Sequence, residues 1–256
     1  MGRANRLANT REDGGVFHVT HRCHNRAFLL KFARDRDRYR ERLREHALDY
    51  NVAILDYCIT CNHVHLLVDV TERLVLGRFM QEVASEMARE YNRRKGRTNA
   101  FWGDNYHASL VEDGPYLWGC LCYLELNMVR CGVVTHPREW AWVGYHEILG
   151  LRRRYRLLDL DRLCWRLQVT NIEALRLNLE ASLMERIARA DGQRESCWTE
   201  SLAVGSQQFV KRIKPRISNR QKLEIRAATG EVWVLQEAPI PYGQKAHPKI
   251  RSNASK

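Results

Sequence analysis

Two groups of residues in this sequence have the types and spacing to do chemistry. The first is His63-Val64-His65, at the centre of the stretch Asp56 to Val70. Read as a strand, His63, His65, Leu67 and Asp69 point to one face, and Val64, Leu66, Val68 and Val70 to the other. One face is then plain apolar packing surface. The opposite face carries two imidazoles whose ring nitrogens can converge on one cation. The second group is Tyr123 and Asn127, four apart on an expected helix and so on one flank of it, with Tyr116 and Arg130 nearby. A tyrosine alone on a helix is an ordinary core-edge anchor. With an amide one turn away it becomes a candidate site face. Cys58-Ile-Thr-Cys61 beside the histidines also raises zinc. Structural zinc sites, however, draw their ligand pairs from separated segments, which disfavours that reading. Asp69 could orient a ligand from behind, but reads better as a solvated strand end.

The elements that must position these groups follow from periodicity. Gly15 to Arg22 alternates and is rich in β-formers, with Phe17 and Val19 on one face, and predicts a first strand. A polar turn region follows. Asp35 to Tyr50 then carries Tyr39, Leu43, Ala47 and Tyr50 at helical spacing. Asn51 to Ile59 predicts a second strand, and Asn62 opens a third after a short hairpin link. Leu76, Phe79, Met80, Val83, Met87 and Tyr91 form the stripe of a second helix, which ends in Asn92-Arg93-Arg94-Lys95-Gly96-Arg97. Cations followed by glycine are a normal helix stop, and on a loop they also suit phosphate. Tyr106 to Val111 predicts a fourth strand. Gly114-Pro115 opens a third helix, closed by Gly132, with Leu117, Leu121, Leu124 and Met128 as its buried stripe. The order βαββαβ predicts a ferredoxin-like α+β fold. Its four-stranded antiparallel sheet carries two helices on one face, followed by an added C-terminal helix that bears the candidate Tyr123 and Asn127 face.

Three segments are expected: a domain over residues 1–150, a mainly helical extension over 151–200, and a basic C-terminal module or tail over 201–256. That last segment holds 11 Lys plus Arg against 3 Glu. The whole chain of 256 residues has 42 Lys plus Arg against 30 Asp plus Glu, a formal charge of +12 that points to a polyanionic partner. The basic N-terminus has no apolar segment behind it, so no signal peptide is expected. No run has the ~18 apolar residues of a membrane span. Eight scattered cysteines do not form a disulfide framework, and a reducing cytoplasm fits them. The oligomeric expectation is a monomer or homodimer.

These residues together resemble a family. Asn62-His63-Val64-His65-Leu-Leu-Val is similar to the His-hydrophobic-His motif of the REP-associated tyrosine transposases, relatives of the single-tyrosine insertion-sequence transposases. Phe17-His18-Val19-Thr20 with Arg22 resembles the family's first strand. Tyr91-Asn92-Arg93-Arg94 and Phe101-Trp102 resemble its middle. Tyr123 to Gly132 resembles the segment bearing the nucleophilic tyrosine, and Trp140 to Tyr145 resembles the domain's end. Cys197 to Ser206 is a weaker match to the tail of one subgroup. The chain departs from the family at Cys61 and Met128, where many members have Pro, and at Asn105, where Arg is frequent.

The resemblance implies a single-strand DNA endonuclease and strand transferase acting at palindromic hairpins. Tyr123 would be the nucleophile and form a 5′-phosphotyrosine. His63, His65 and Asn127 would hold one divalent cation, Mg or Mn. Arg22, Arg93, Arg94, Lys95 and Arg97 would contact phosphates, and Trp102 would stack on unpaired bases. Two other classes keep the same fold. One is a non-cleaving binder of hairpin DNA or RNA. The other is a hydrolytic nuclease in which Tyr123 is structural.

Overall fold

The structure is a computed structural model that describes residues 14–189, 195–217 and 222–238. Its first strand, β1 (Gly15–Arg22), has the predicted bounds, and α1 (Ala33–Asp49) follows. Next come β2 (Ala53–Ile59), β3 (His63–Val70), α2 (Arg73–Lys95) and β4 (His107–Val111). β3 lies between β1 and β2 and is antiparallel to both, and β4 is antiparallel to β1 on its other side. The spatial order β2-β3-β1-β4 is the ferredoxin-like arrangement.

The alternation in β3 divides the molecule into two cores. Val64, Leu66, Val68 and Val70 pack with Tyr39 and Leu43 of α1 and with Leu76, Phe79, Met80, Val83 and Met87 of α2. Each of these helix residues is at most 2 % exposed, the condition under which a large apolar side chain contributes its full ~1.5–3 kcal/mol. Leu67 faces the other way, into a core with α3 (Pro115–Glu125). The backbone pauses at Leu126 before α4 (Asn127–Arg130). Hydrogen bonds from Leu126 N to Cys122 O and from Arg130 N to Leu126 O carry the helical path across the pause. Asn127 therefore stays about one turn from Tyr123. Gly96 ends α2 with φ 61°, and Arg97 N bonds back to Asn92 O, a left-handed stop that turns the basic cluster out of the helix.

The third helix packs on the sheet face opposite α1 and α2. Behind it lie α5 (Tyr145–Ile148), α6 (Leu160–Leu167) and α7 (Ile172–Ala188). One reading of the sequence needs correction. Asp69 is not a solvated strand end: its side chain is fully buried and bound by Arg162 and Arg166 of α6. The residues after 200, expected as a basic module or tail, add further strands to the sheet. After α8 (Cys197–Glu200), β5 (Ala203–Gly205) pairs parallel to β4. Then α9 (Gln207–Ile213), β6 (Leu223–Ala227) and β7 (Trp233–Glu237) complete a sheet of seven strands among the described residues. Apolar alternation in such short strands, diluted by Arg and Glu, left no period to read. The end of the chain after 238 lies outside the described residues.

Candidate functional site

The site is built where β3, β1 and α3 meet. Antiparallel register sets His65 opposite Thr20 of β1 and Cys58 of β2, and His63 opposite Arg22. Because alternate residues share a face, His18, Thr20 and Arg22 of β1 lie on the same side as His63 and His65. α3 lies over that face. The result is that Asn127 Nδ2 donates to His65 Nε2 at 3.1 Å, across 62 residues of sequence. The Tyr123 ring stands edge-on to His65, with centroids 6.0 Å apart. His63 and His65 are 4.9 Å apart, ring to ring. The Arg130 guanidinium lies over the Tyr123 ring, 3.9 Å from its centroid.

His63 is held by the hairpin link that precedes it. Thr60 Oγ1 donates to the His63 carbonyl at 2.8 Å and receives the His63 backbone N–H at 3.1 Å. His63 Nδ1 lies 2.9 Å from Thr60 Oγ1 and 2.7 Å from Asn62 Oδ1, two acceptors that orient the ring. His65 is buried, and burial first, then His63, His18 and the cations Arg130 and Arg22, push its pKa well below the usual histidine range. An imidazole kept neutral is one able to ligate a metal. The residue that sequence reasoning missed is His18. Its Nε2 lies 2.9 Å from His65 Nδ1, and its Nδ1 donates to the Trp198 carbonyl at 2.8 Å. Burial lowers its pKa to about 4. The signal was available: with Phe17 and Val19 on one face of β1, His18 must lie on the other.

A divalent cation fits this donor set on one specific observation. Asn127 is 5 % exposed, and its Oδ1 is buried with no hydrogen-bond partner. An acceptor left unpaired at this depth is costly unless something takes its lone pair. Two imidazoles and an amide are the donors in question. Among the described residues, no three His, Cys, Asp or Glu side chains gather as a ligand set.

The predicted phosphate contacts lie at the His63 end of the sheet. Arg22 is exposed at the end of β1. Arg93, Arg94 and Lys95 are exposed at the end of α2, and Arg97 is half-buried beyond it. Arg94 also pairs with Asp35, and Lys95 Nζ stands 5.4 Å from the centre of the Phe32 ring. Trp102 is half-buried, stacks on His21 at 4.0 Å and donates through Nε1 to Ala84 O. The stretch between β1 and α1, read as a polar turn, exposes Phe28 (66 %) and Phe32 (58 %) instead. It is tied to the site through Asn62, whose Nδ2 donates to Arg26 O at 3.0 Å while its Oδ1 faces His63. A surface cavity of about 820 Å³ lies elsewhere, between α1 and α2 on the far face of the sheet.

No helix among the described residues is long and apolar enough to cross a membrane. The chain also has similarities to known proteins. A REP-associated tyrosine transposase solved bound to a REP hairpin is 16% identical, covering 62% of this chain and 93% of that one, with a TM-score of 0.48. A putative transposase from Deinococcus radiodurans R1 is 16% identical, covering 42% of this chain and 84% of that one, with a TM-score of 0.33. Likeness at this level carries no weight for function. No curated protein matches the chain. Residues 14–120 match the family described as "Transposase IS200 like", a span that includes His18, His63 and His65 and stops just before Tyr123. Over residues 14–120, this chain is similar to the IS200-like transposase family.

Proposed function

We propose that this protein cuts and rejoins single-stranded DNA at palindromic hairpins, with Tyr123 as nucleophile and a divalent cation, Mg or Mn, held by His63, His65 and Asn127. The observation that carries this reading is the convergence of three separate elements on one spot. The Asn127 amide reaches His65 at 3.1 Å, its own Oδ1 is buried and unpartnered, and Tyr123 lies edge-on to the same imidazole. When bound, the cation would supply Lewis-acid polarisation of a phosphate oxygen.

The chain's own residues do the rest. His63 and His65 present neighbouring rings from one strand face, held by Thr60, Asn62 and His18. Arg130 fixes the plane of the Tyr123 ring and places a positive charge beside the phosphate's destination. A phenol is largely protonated at neutral pH, so attack requires loss of that proton. Tyr123 Oη then bonds to phosphorus, the bond from phosphorus to the 3′ oxygen breaks, and that oxygen leaves as a 3′-hydroxyl. The proton lost by the phenol is matched by the one gained there. The ester retains the bond energy, so another 3′-hydroxyl can reverse the step and join strands without ATP. Arg22, Arg93, Arg94, Lys95 and Arg97 would grip the phosphates. Phe28 and Phe32, exposed among Arg26, Lys31 and Lys95, offer better base-stacking faces than Trp102. The catalytic unit would span residues 1–150, with 151–200 and 201–256 as its extensions.

One observation favours a second reading, a hydrolytic nuclease or a non-cleaving hairpin binder. Tyr123 is only 3 % exposed, so the scissile phosphate must displace something to reach it. Incubation with hairpin-bearing single-stranded DNA and Mg, followed by denaturing electrophoresis, separates these. Wild type should give a covalent protein–DNA species, and Tyr123→Phe none, with hairpin binding within about threefold of wild type. Cleavage without an adduct, equal in both proteins, would establish the hydrolytic reading. Binding without cleavage in either would establish the binder.

A further inference from the structure

The hydrogen bonds around His65 form a directed chain. Its outer end is the backbone carbonyl of Trp198, in α8, 180 residues from His18. A carbonyl oxygen can only accept, so His18 Nδ1, at 2.8 Å, carries the proton. A neutral imidazole has one proton, which leaves His18 Nε2 as an acceptor. His65 Nδ1, 2.9 Å away, must then donate to it. His65 is thereby fixed with its proton on Nδ1 and its lone pair on Nε2. That lone pair points at Asn127, whose Nδ2 donates to it at 3.1 Å. The opposite tautomer of His65 would set two lone pairs facing each other between the rings, and an N–H against an N–H at the amide. Ser109 Oγ, whose one proton goes to the Ser201 carbonyl at 2.5 Å, lies 3.2 Å from the same Trp198 carbonyl. His18 and Ser109 are partners in the β1–β4 register, so both side chains reach α8 from adjacent strands.

We infer that His18 is a positioning residue which, by reading the Trp198 carbonyl, sets the tautomer of His65 and so aims the Nε2 lone pair at the candidate cation site. The inference rests on the donor set proposed above and deepens it. It also gives the segment after α7 a task at the site: supplying the acceptor from which the whole chain of protons takes its direction. Ligating histidines are commonly oriented through their second nitrogen, and loss of that partner typically weakens metal binding about 10–100-fold.

The primary test needs no metal and reads the wild-type protein. Long-range proton–nitrogen NMR of histidine-labelled wild type, with His65 assigned by its disappearance in His65→Ala, reports which ring nitrogen bears the proton. Protonated Nδ1 and bare Nε2 are expected, and a protonated Nε2 would overturn the inference. Two variants then separate positioning from packing. His18→Gln keeps an acceptor for His65 and a donor for Trp198, and should hold the tautomer and the Mn affinity within about threefold of wild type. His18→Leu fills the space without either group. It should give a mixed His65 tautomer and about tenfold or weaker Mn binding. A Leu variant with wild-type tautomer and affinity would sink the role of His18. If instead Mn binds His65→Ala as well as wild type, the donor set fails, whatever His18 does.

Discussion

At the scale of single residues, the site depends on imidazoles that stay neutral in the fold. His21 behaves like His18 without belonging to the donor set. It is buried, stacks on Trp102 and bonds to the Asp104 carbonyl, yet burial outweighs that bond and lowers its pKa to about 4 from 6.5. The unfolded chain therefore binds the proton more tightly. The stability linked to His21 is full above pH 6.5 and is lost as pH falls from there towards 4. In urea titrations at pH 7, 5.5 and 4, wild type should lose more stability on acidification than His21→Phe, which keeps the stack on Trp102. The difference should approach about 3 kcal/mol at pH 4. The buried carboxyls Asp56 and Glu125, raised chiefly by burial, act in the opposite sense, but they are common to both proteins and cancel. Parallel pH profiles would show that His21 is not held neutral by the fold. Ligand roles call for a separate measurement. His63→Ala and His65→Ala should each weaken Mn binding and abolish metal-dependent cleavage in folded protein. Unchanged activity in both would remove the histidines from the reaction.

Among elements, the residues that could be read in advance are those whose task repeats along one strand or helix. Two-residue alternation in β3 separated the imidazole face from the packing face. Helical spacing gave the whole stripe of α2, and Gly96 its end. The contacts that escaped sequence reasoning join distant elements. The acceptor for His18 is a backbone carbonyl, which leaves no trace in residue type. Asp69 looked like a strand end because its partners are 93 and 97 residues away. Its Oδ2 accepts from Arg162 Nε at 2.5 Å and from Arg166 Nε at 2.8 Å, and its Oδ1 from Arg166 Nη2 at 2.7 Å. This pins α6 to the end of β3. Asp69→Asn leaves Arg162 without its counter-charge, while Arg166 keeps Asp113 at 2.9 Å. Arg162 is 39 % exposed and can turn to water, so the loss should fall near 2 kcal/mol rather than the ~3–5 kcal/mol of a fully buried pair. Thermal unfolding should show it as a clear drop in Tm, with Mn affinity unchanged. A loss of Mn affinity at unchanged Tm would place Asp69 in the site after all.

For the whole molecule, charge and fold divide the C-terminal segment in a way the composition did not show. A basic stretch with 11 Lys plus Arg against 3 Glu suggests a detachable DNA-binding tail. Yet Phe209, Val210 and Ile213 of α9 and Leu235 of β7 are buried in the same core as β3, α1 and α2. Val204 and Val234 are buried on the other face of the sheet. Cutting the chain after Ser206 would therefore expose both cores and report on folding, not on affinity. The informative cut is after Ala238, beyond the last described strand. It removes Lys245, Lys249, Arg251 and Lys256 and no acidic residue. If those cations contact a single strand, each adds about 0.7 to the slope of log affinity against log salt, so the full contribution is roughly 3. Fluorescence anisotropy of a labelled hairpin with single-stranded flanks, between ~50 and ~200 mM salt, measures that slope. The truncated protein should unfold at the wild-type temperature, bind more weakly at low salt and show a flatter line, the two lines converging as salt rises. An unchanged slope would mean that residues after 238 do not touch the nucleic acid. The phosphate contacts would then fall to the cations beside His63.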